Sequence, residues 1–335
     1  MNEMKGCEES CSFYFIFALF TFFVWMDLSF FGEIAEHGSL YNATTAQEMM
    51  FPVKSIKLRM QDHTSHYINL PLMELAEDKL GISNIPGVTP NLISGTHLFC
   101  AIVAAKCMTS GQLGMRRFGV ALYELRYQLD ILDGVVYRAQ ANKRNSYASG
   151  FGSIGYLVDA FTDFCGGILL ALSCALFLSR YPPLKRVKTR IYGDQELGRK
   201  SSLMYGEGEV DKFVHLSRRT VMVKMFLVTL QIVLRSALWD YFLRNYHDLL
   251  ERRNPQIPQF MQEEVLDYRS TWLVMWFWKL SSADAALQFT LLAVLFDKLW
   301  MWVQLLNYIG WIQLVIVALI SQMHLMEVRE YLLGV

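Results

Sequence analysis

The sequence predicts an all-α fold, a polytopic bundle of membrane helices, and three observations carry that expectation. Apolar residues make up 53% of the 335 positions, 22 Phe among them, and the mean hydropathy is positive. The apolar runs reach the roughly 20 residues that a helix needs to cross a bilayer. The acids inside those runs also keep helical spacing. Asp130 and Asp133 stand at i and i+3, and Asp159 and Asp163 at i and i+4, so each pair leaves one face of its own helix.

In chain order, Ser12 to Phe31 is an aromatic-rich run of twenty residues interrupted by Asp27. No A-x-A-like site follows it, which favours an N-terminal anchor over 1–31 rather than a cleaved signal peptide, while its acidic leading flank (Glu3, Glu8 and Glu9 against Lys5) suits neither. Residues 32–90 are polar and mixed, a segment expected in the lumen, and they hold the N-x-S/T sequon Asn42-Ala43-Thr44. Core spans are predicted at 91–110, 117–137, 152–179, 220–243, 271–296 and 299–323, so six core helices follow the leading one. The second is unusually polar, with Glu124, Arg126 and Gln128 ahead of the aspartates. Such groups face a bundle interior or a cavity, because charge is costly against lipid. Pro182-Pro183 ends a helix and opens the long connection 180–218, and 326–335 is read as a short tail after the transmembrane domain 91–325.

Lys and Arg total 31, as do Asp and Glu, so the formal charge is zero and no nucleic-acid partner is expected. Six cysteines have neither zinc-finger spacing nor the density of a disulfide scaffold. The placement of charge is more informative. The connection 106–117 holds Lys106, Arg116 and Arg117 and no acid, and 180–219 holds ten basic residues against five acids. Both belong in the cytosol. The connection 246–269 has five acids and three arginines and lies on the opposite side, as does the loop between Arg138 and Gly155. The carboxylate end of the bundle therefore points into a lumen, on the side of Asn42.

Four carboxylates brought together repel one another unless divalent cations offset the charge. Oxygen-only ligands favour Mg²⁺ or Mn²⁺ over zinc, and four of them suit two ions arranged for phosphoryl transfer. The alternative role for such acids is structural, as membrane-embedded groups paired with arginines to hold helices together.

The run Asp130-Ile-Leu-Asp133-Gly134-Val-Val-Tyr137-Arg138, followed by Gly155-Tyr-Leu-Val-Asp159-Ala-Phe-Thr-Asp163, resembles the DxxDGxxAR and GxxxDxxxD signature of the CDP-alcohol phosphotransferases. Seven of its eight fixed positions match; Tyr137 replaces Ala, and sixteen residues separate Arg138 from Gly155, about twice the family's usual spacing. Thr89-Pro90-Asn91-Leu92-Ile93-Ser94 looks like the TPNxIS-type start of that family's first core span. The resemblance implies that a lipid hydroxyl attacks the phosphorus next to a small alcohol and that CMP leaves. It implies two Mn²⁺ or Mg²⁺ ions on Asp130, Asp133, Asp159 and Asp163, with Asp163 also the general base. Asn91, Asp130, Gly134 and Arg138 are then the CDP-binding candidates, and Gly155 permits close helix packing near the site. Asn91 has a second role open to it, as a helix cap. His97 is expected to be a satisfied core histidine, and Lys143 and Arg144 either attract CDP or are solvated.

Family members that act from the cytosolic face have no leading span, and their DGxQAR-like wording is absent. The chain is most similar to the branch that makes ceramide phosphoethanolamine in the Golgi lumen. That likeness implies transfer of phosphoethanolamine from CDP-ethanolamine to ceramide, an integral membrane location in the Golgi or else the endoplasmic reticulum, membrane lipid as partner, and room for a homodimer. The alternative is a CDP-ethanolamine or CDP-choline:diacylglycerol phosphotransferase. A transporter is disfavoured because no repeat with broken helices is visible. In sealed microsomes, protease is expected to cut the 180–219 loop without detergent; protection of that loop would reverse the orientation.

Overall fold

The computed structural model describes residues 2–37, 55–141, 154–191 and 208–334. The Asn42 sequon and the Lys143–Arg144 pair lie outside them. The chain is an all-α bundle of an integral membrane protein. Among the described residues five helical stretches are long and apolar enough to cross a bilayer: Phe13–Gly32, Pro90–Met108, Gly155–Arg180, Arg218–Glu251 and Leu299–Leu333.

The first stretch lies within α1 (Asn2–His37). It shows most of its aromatic side chains to the surroundings, while Asp27 and Phe30 are buried. Part of the polar stretch 32–90 is seated against the bundle. Helix α2 (Ile56–Met60) buries Ile56, Leu58, Arg59 and Met60. A π-helical turn (Ser65–Asn69) then leads into α3 (Leu70–Leu80), which ends on Gly81 at φ 58°, a left-handed cap that glycine adopts without strain.

Helix α4 (Pro90–Met108) begins where the sequence dictates: the Thr89 hydroxyl accepts from the Leu92 amide at 3.2 Å, and Pro90 takes the first helical position. Thr89, not Asn91, is therefore the cap. Helix α5 (Leu113–Gln140) runs 28 residues with Gly119, Val120, Tyr123 and Tyr127 on its buried face. Gly119 lets α4 come close: a Cβ there would stand 2.9 Å from Met108 Cγ and 3.0 Å from the Ala104 carbonyl oxygen. Helix α6 (Ile154–Arg180) follows, and α5 and α6 between them carry the four aspartates.

The 180–219 connection contains more order than its composition suggests. Strands β1 (Leu184–Ile191) and β2 (Gly208–His215) pair antiparallel, with Leu184 opposite His215. Helix α7 (Arg218–Tyr246) follows, capped by Ser217, and α8 (Gln259–Asp267) lies beyond it.

The span predicted at 271–296 is two helices, α9 (Arg269–Ser281) and α10 (Ala283–Leu295), each of 13 residues. Ser282 between them is extended (φ −62°, ψ 162°), and its hydroxyl caps α10 by accepting from the Ala285 amide at 3.1 Å. The freed Ser281 carbonyl accepts from Arg235 Nη1 at 2.7 Å, so the break leaves that buried group satisfied. The last span is longer than predicted: α11 (Leu299–Leu305), a π-helical turn (Leu306–Gly310) and α12 (Trp311–Leu333) form one rod. At that turn Gln231 Nε2 donates to the Leu306 carbonyl at 3.2 Å and Arg235 Nη2 to the Gly310 carbonyl at 3.0 Å.

Two large apolar clusters stand out among the described residues, with smaller ones around Leu58, Leu70 and Val135 and around Ile93, Leu132 and Val136. One joins α4, α5, α6, α7, α10 and α11 around Tyr123, Leu170, Met225 and Leu291. The other joins α2, α7, α8, α9 and α12 around Met60, Tyr246, Trp278 and Leu325. Replacing Gly119 by Ala is expected to destabilise the purified protein by about 1–3 kcal/mol through overpacking. Gly114→Ala, in the same helix but with nothing within 4 Å, should stay within about 0.5 kcal/mol of the parent. Thermal unfolding in detergent compares the two.

Candidate metal centre

Helical periodicity does what the spacing requires. Asp130 and Asp133 leave α5, Asp159 and Asp163 leave α6, and all four line one cavity of about 530 Å³. Its other walls come from α2 and its C-cap (Lys57, Gln61), α7 (Ser236, Trp239, Asp240) and the start of α10 (Ser282, Asp284). One wall is polar. Other lining residues are apolar: Phe164, Ile168, Ala171, Ile232, Val233 and Leu287.

Ligand atoms of His97, Asp130, Asp159 and Asp163 lie within 4.8 Å of one another. His97, fully buried on α4, has Nε2 3.6 Å from Asp130 Oδ1 and 3.2 Å from the Thr162 hydroxyl. The expectation of an ordinary core histidine understated its position beside the carboxylates. Asp133 stands slightly apart: its Oδ2 accepts from the Ser94 hydroxyl at 2.5 Å. Asp163 is ion-paired with Arg126, whose guanidinium lies 4.8 Å from the Tyr127 ring centre. Gly166 provides the space for it, since a Cβ there would be 3.2 Å from Arg126 Nε.

The remaining candidates divide. Arg138 lines the cavity and pairs with Glu74 at 3.7 Å. Gly134 also lines it, and a Cβ at that position would meet only Arg138 Nη1, at 3.4 Å. Asn91 is exposed and is not on the cavity wall. At Gly155 a Cβ would meet nothing within 4 Å, so the close packing expected there is not found.

The donor set fits a hard divalent cation. It is rich in carboxylate oxygen, and Asp130 Oδ1 is buried with no hydrogen-bond partner among the described residues. Residues missed by sequence reasoning fall into two groups. Arg126 is four residues before Asp130 and shares its helix face, and Ser94 closes the TPNxIS-like run, so both were within reach of periodicity. Lys57, Asp240 and Asp284 come from elements outside the signature, and only the tertiary fold brings them in.

A family model described as ceramide phosphoethanolamine synthase matches residues 12–335. The ceramide phosphoethanolamine synthase of Drosophila melanogaster is 31% identical over 280 residues, which covers 83% of this chain and 69% of that protein. No solved structure matches the chain.

If the carboxylates hold a divalent ion, Mn²⁺ titrated into the purified protein and followed by electron paramagnetic resonance should bind at least about tenfold more weakly to Asp130→Asn and Asp159→Asn. Ser94→Ala, which releases Asp133, should weaken binding by about tenfold. Unchanged Mn²⁺ binding in the two aspartate variants would dismiss the metal assignment.

Proposed function

The chain belongs to the ceramide phosphoethanolamine synthase family, and on that premise we propose that the carboxylate-lined cavity is where phosphoethanolamine passes from CDP-ethanolamine to ceramide. The observation that carries the site is the convergence of the α5 and α6 faces. They bring Asp130, Asp159 and Asp163 together beside Asp133, with an apolar wall adjoining.

Asp130, Asp133 and Asp159 are the residues that would hold divalent ions, Mn²⁺ or Mg²⁺. Such ions, when bound, neutralise diphosphate charge and favour in-line displacement. Asp163 takes the proton of the ceramide primary hydroxyl as that oxygen attacks the phosphorus bearing ethanolamine, and CMP departs. Arg126 orients Asp163 through their ion pair. Arg138 forks onto phosphate oxygens, and Gly134 leaves the nucleotide room to approach. The apolar wall beside Asp163 receives the chains of the acceptor. A lumenal site agrees with the loop charges, and Golgi membranes are the proposed location.

With CDP-ethanolamine as donor and ceramide and diacylglycerol at equal mole fraction in mixed micelles, the product should be mainly ceramide phosphoethanolamine. A predominance of phosphatidylethanolamine would reject the sphingolipid acceptor. Asp163→Asn should still bind the donor but lose about 10²–10⁴-fold in kcat. Donor affinity falling as far as the rate would make Asp163 chiefly a ligand.

A further inference from the structure

One wall of the cavity comes from outside the signature-bearing core. Helix α2 contributes Lys57 and Leu58, and its C-cap contributes Gln61. The helix is held on several sides: the Arg59 guanidinium donates to the Leu266 carbonyl, Trp239 Nε1 donates to the Met60 carbonyl at 3.0 Å, and the Ile56 amide donates to Glu251 Oε1 at 2.7 Å. Lys57 thereby lines the same cavity as the acids. It interacts electrostatically with Asp133, Asp159 and Asp240, yet among the described residues its ammonium forms no hydrogen bond or ion pair. It is not a closed structural counter-ion. Lys57 and Arg138 are the two cations on the described wall, against six carboxylates, and Arg138 already has Glu74.

The segment that carries Lys57 is fastened from behind by the N-terminal span. Asp27 of α1 accepts from the Tyr67 hydroxyl and from Trp276 Nε1, each at 2.7 Å, and lies 2.8 Å from His63 Nε2. His63 and Tyr67 belong to the chain just after α2, while Trp276 belongs to α9. Lys279, also on α9, contacts His66, and its ammonium lies 4.4 Å from the Tyr67 ring centre. Phe30, one turn below Asp27, meets the His66 ring edge-on at 5.3 Å. A carboxylate in an apolar span is costly in lipid. Here it ties together α1, the α2–α3 segment and α9.

We propose that Lys57 is a phosphate-facing cation of the donor site and that Asp27 is the positioning residue that seats it. The proposal rests on reading the cavity as the CDP-ethanolamine site. A diphosphate entering the cavity meets an ammonium that exchanges water for charge-assisted hydrogen bonds. A lysine on its flexible stem can do this only if the short helix beneath it is fixed.

The test uses the purified full chain, with donor KM and kcat measured beside the thermal stabilisation produced by CDP with Mn²⁺. Lys57→Met should raise donor KM by about tenfold and reduce CDP stabilisation, with a smaller fall in kcat. Lys57→Arg should recover most of the loss. Asp27→Asn should raise donor KM in the same direction, and Lys57→Met added to it should cost no more than Lys57→Met alone, since one residue acts through the other. Tyr67→Phe, which removes one donor to Asp27, reads the same effect if Asp27→Asn does not accumulate. Parental KM and CDP stabilisation in Lys57→Met would overturn the Lys57 assignment, and multiplying effects would sever Asp27 from it. Absence of ceramide phosphoethanolamine from the parent protein would instead remove the reading of the cavity, and CDP stabilisation would then decide Lys57 alone.

Discussion

Negative charge gathered inside an apolar bundle is the constraint on which the other features depend. Six carboxylates border one cavity, and each is expensive without compensation. The chain compensates unequally. Asp163 has Arg126, and Asp133 has the Ser94 hydroxyl. Asp130 keeps a buried oxygen with no hydrogen-bond partner among the described residues, 3.6 Å from His97 Nε2. This unevenness is what a binding site looks like rather than a structural ion-pair network. Smaller residues follow from it: Gly166 admits the Arg126 side chain, and the Tyr127 ring lies beside the same guanidinium.

The leading span illustrates how one polar residue changes the standing of a helix. By composition α1 is an anchor, and most of its aromatic surface is exposed. Asp27 is its polar tie to the bundle, because three side chains from two other elements converge on its carboxylate, and Phe30 and Phe31 add ring contacts to His66 and Trp272. Chain truncated before α2 would lose those contacts as well as a membrane attachment.

Much of the site was legible because the helix period is fixed by backbone geometry. Spacings of three and four within 130–133 and 159–163 predict shared faces wherever those helices lie. What joins distant elements was not legible. Lys57 reaches the acids of α5 and α6 through tertiary packing, and Asp27 meets Trp276 across 249 residues. The break at Ser282 carried a local signal, a serine followed by Asp284 in the first turn of α10, but a continuous apolar run outweighed it. Gly155 is the opposite case: the motif suggested packing, and the fold leaves open space there.

The two-sided wall of the cavity has a pharmacological consequence. Polar residues that suit a nucleotide and apolar residues that suit a hydrocarbon chain border one continuous volume of about 530 Å³. A single molecule joining a cytidine-like head to a lipid tail by a short linker would occupy both halves at once. Its second half would bind at the high effective concentration set by that linker, so such a bisubstrate inhibitor should exceed either fragment by about 10²–10⁴-fold.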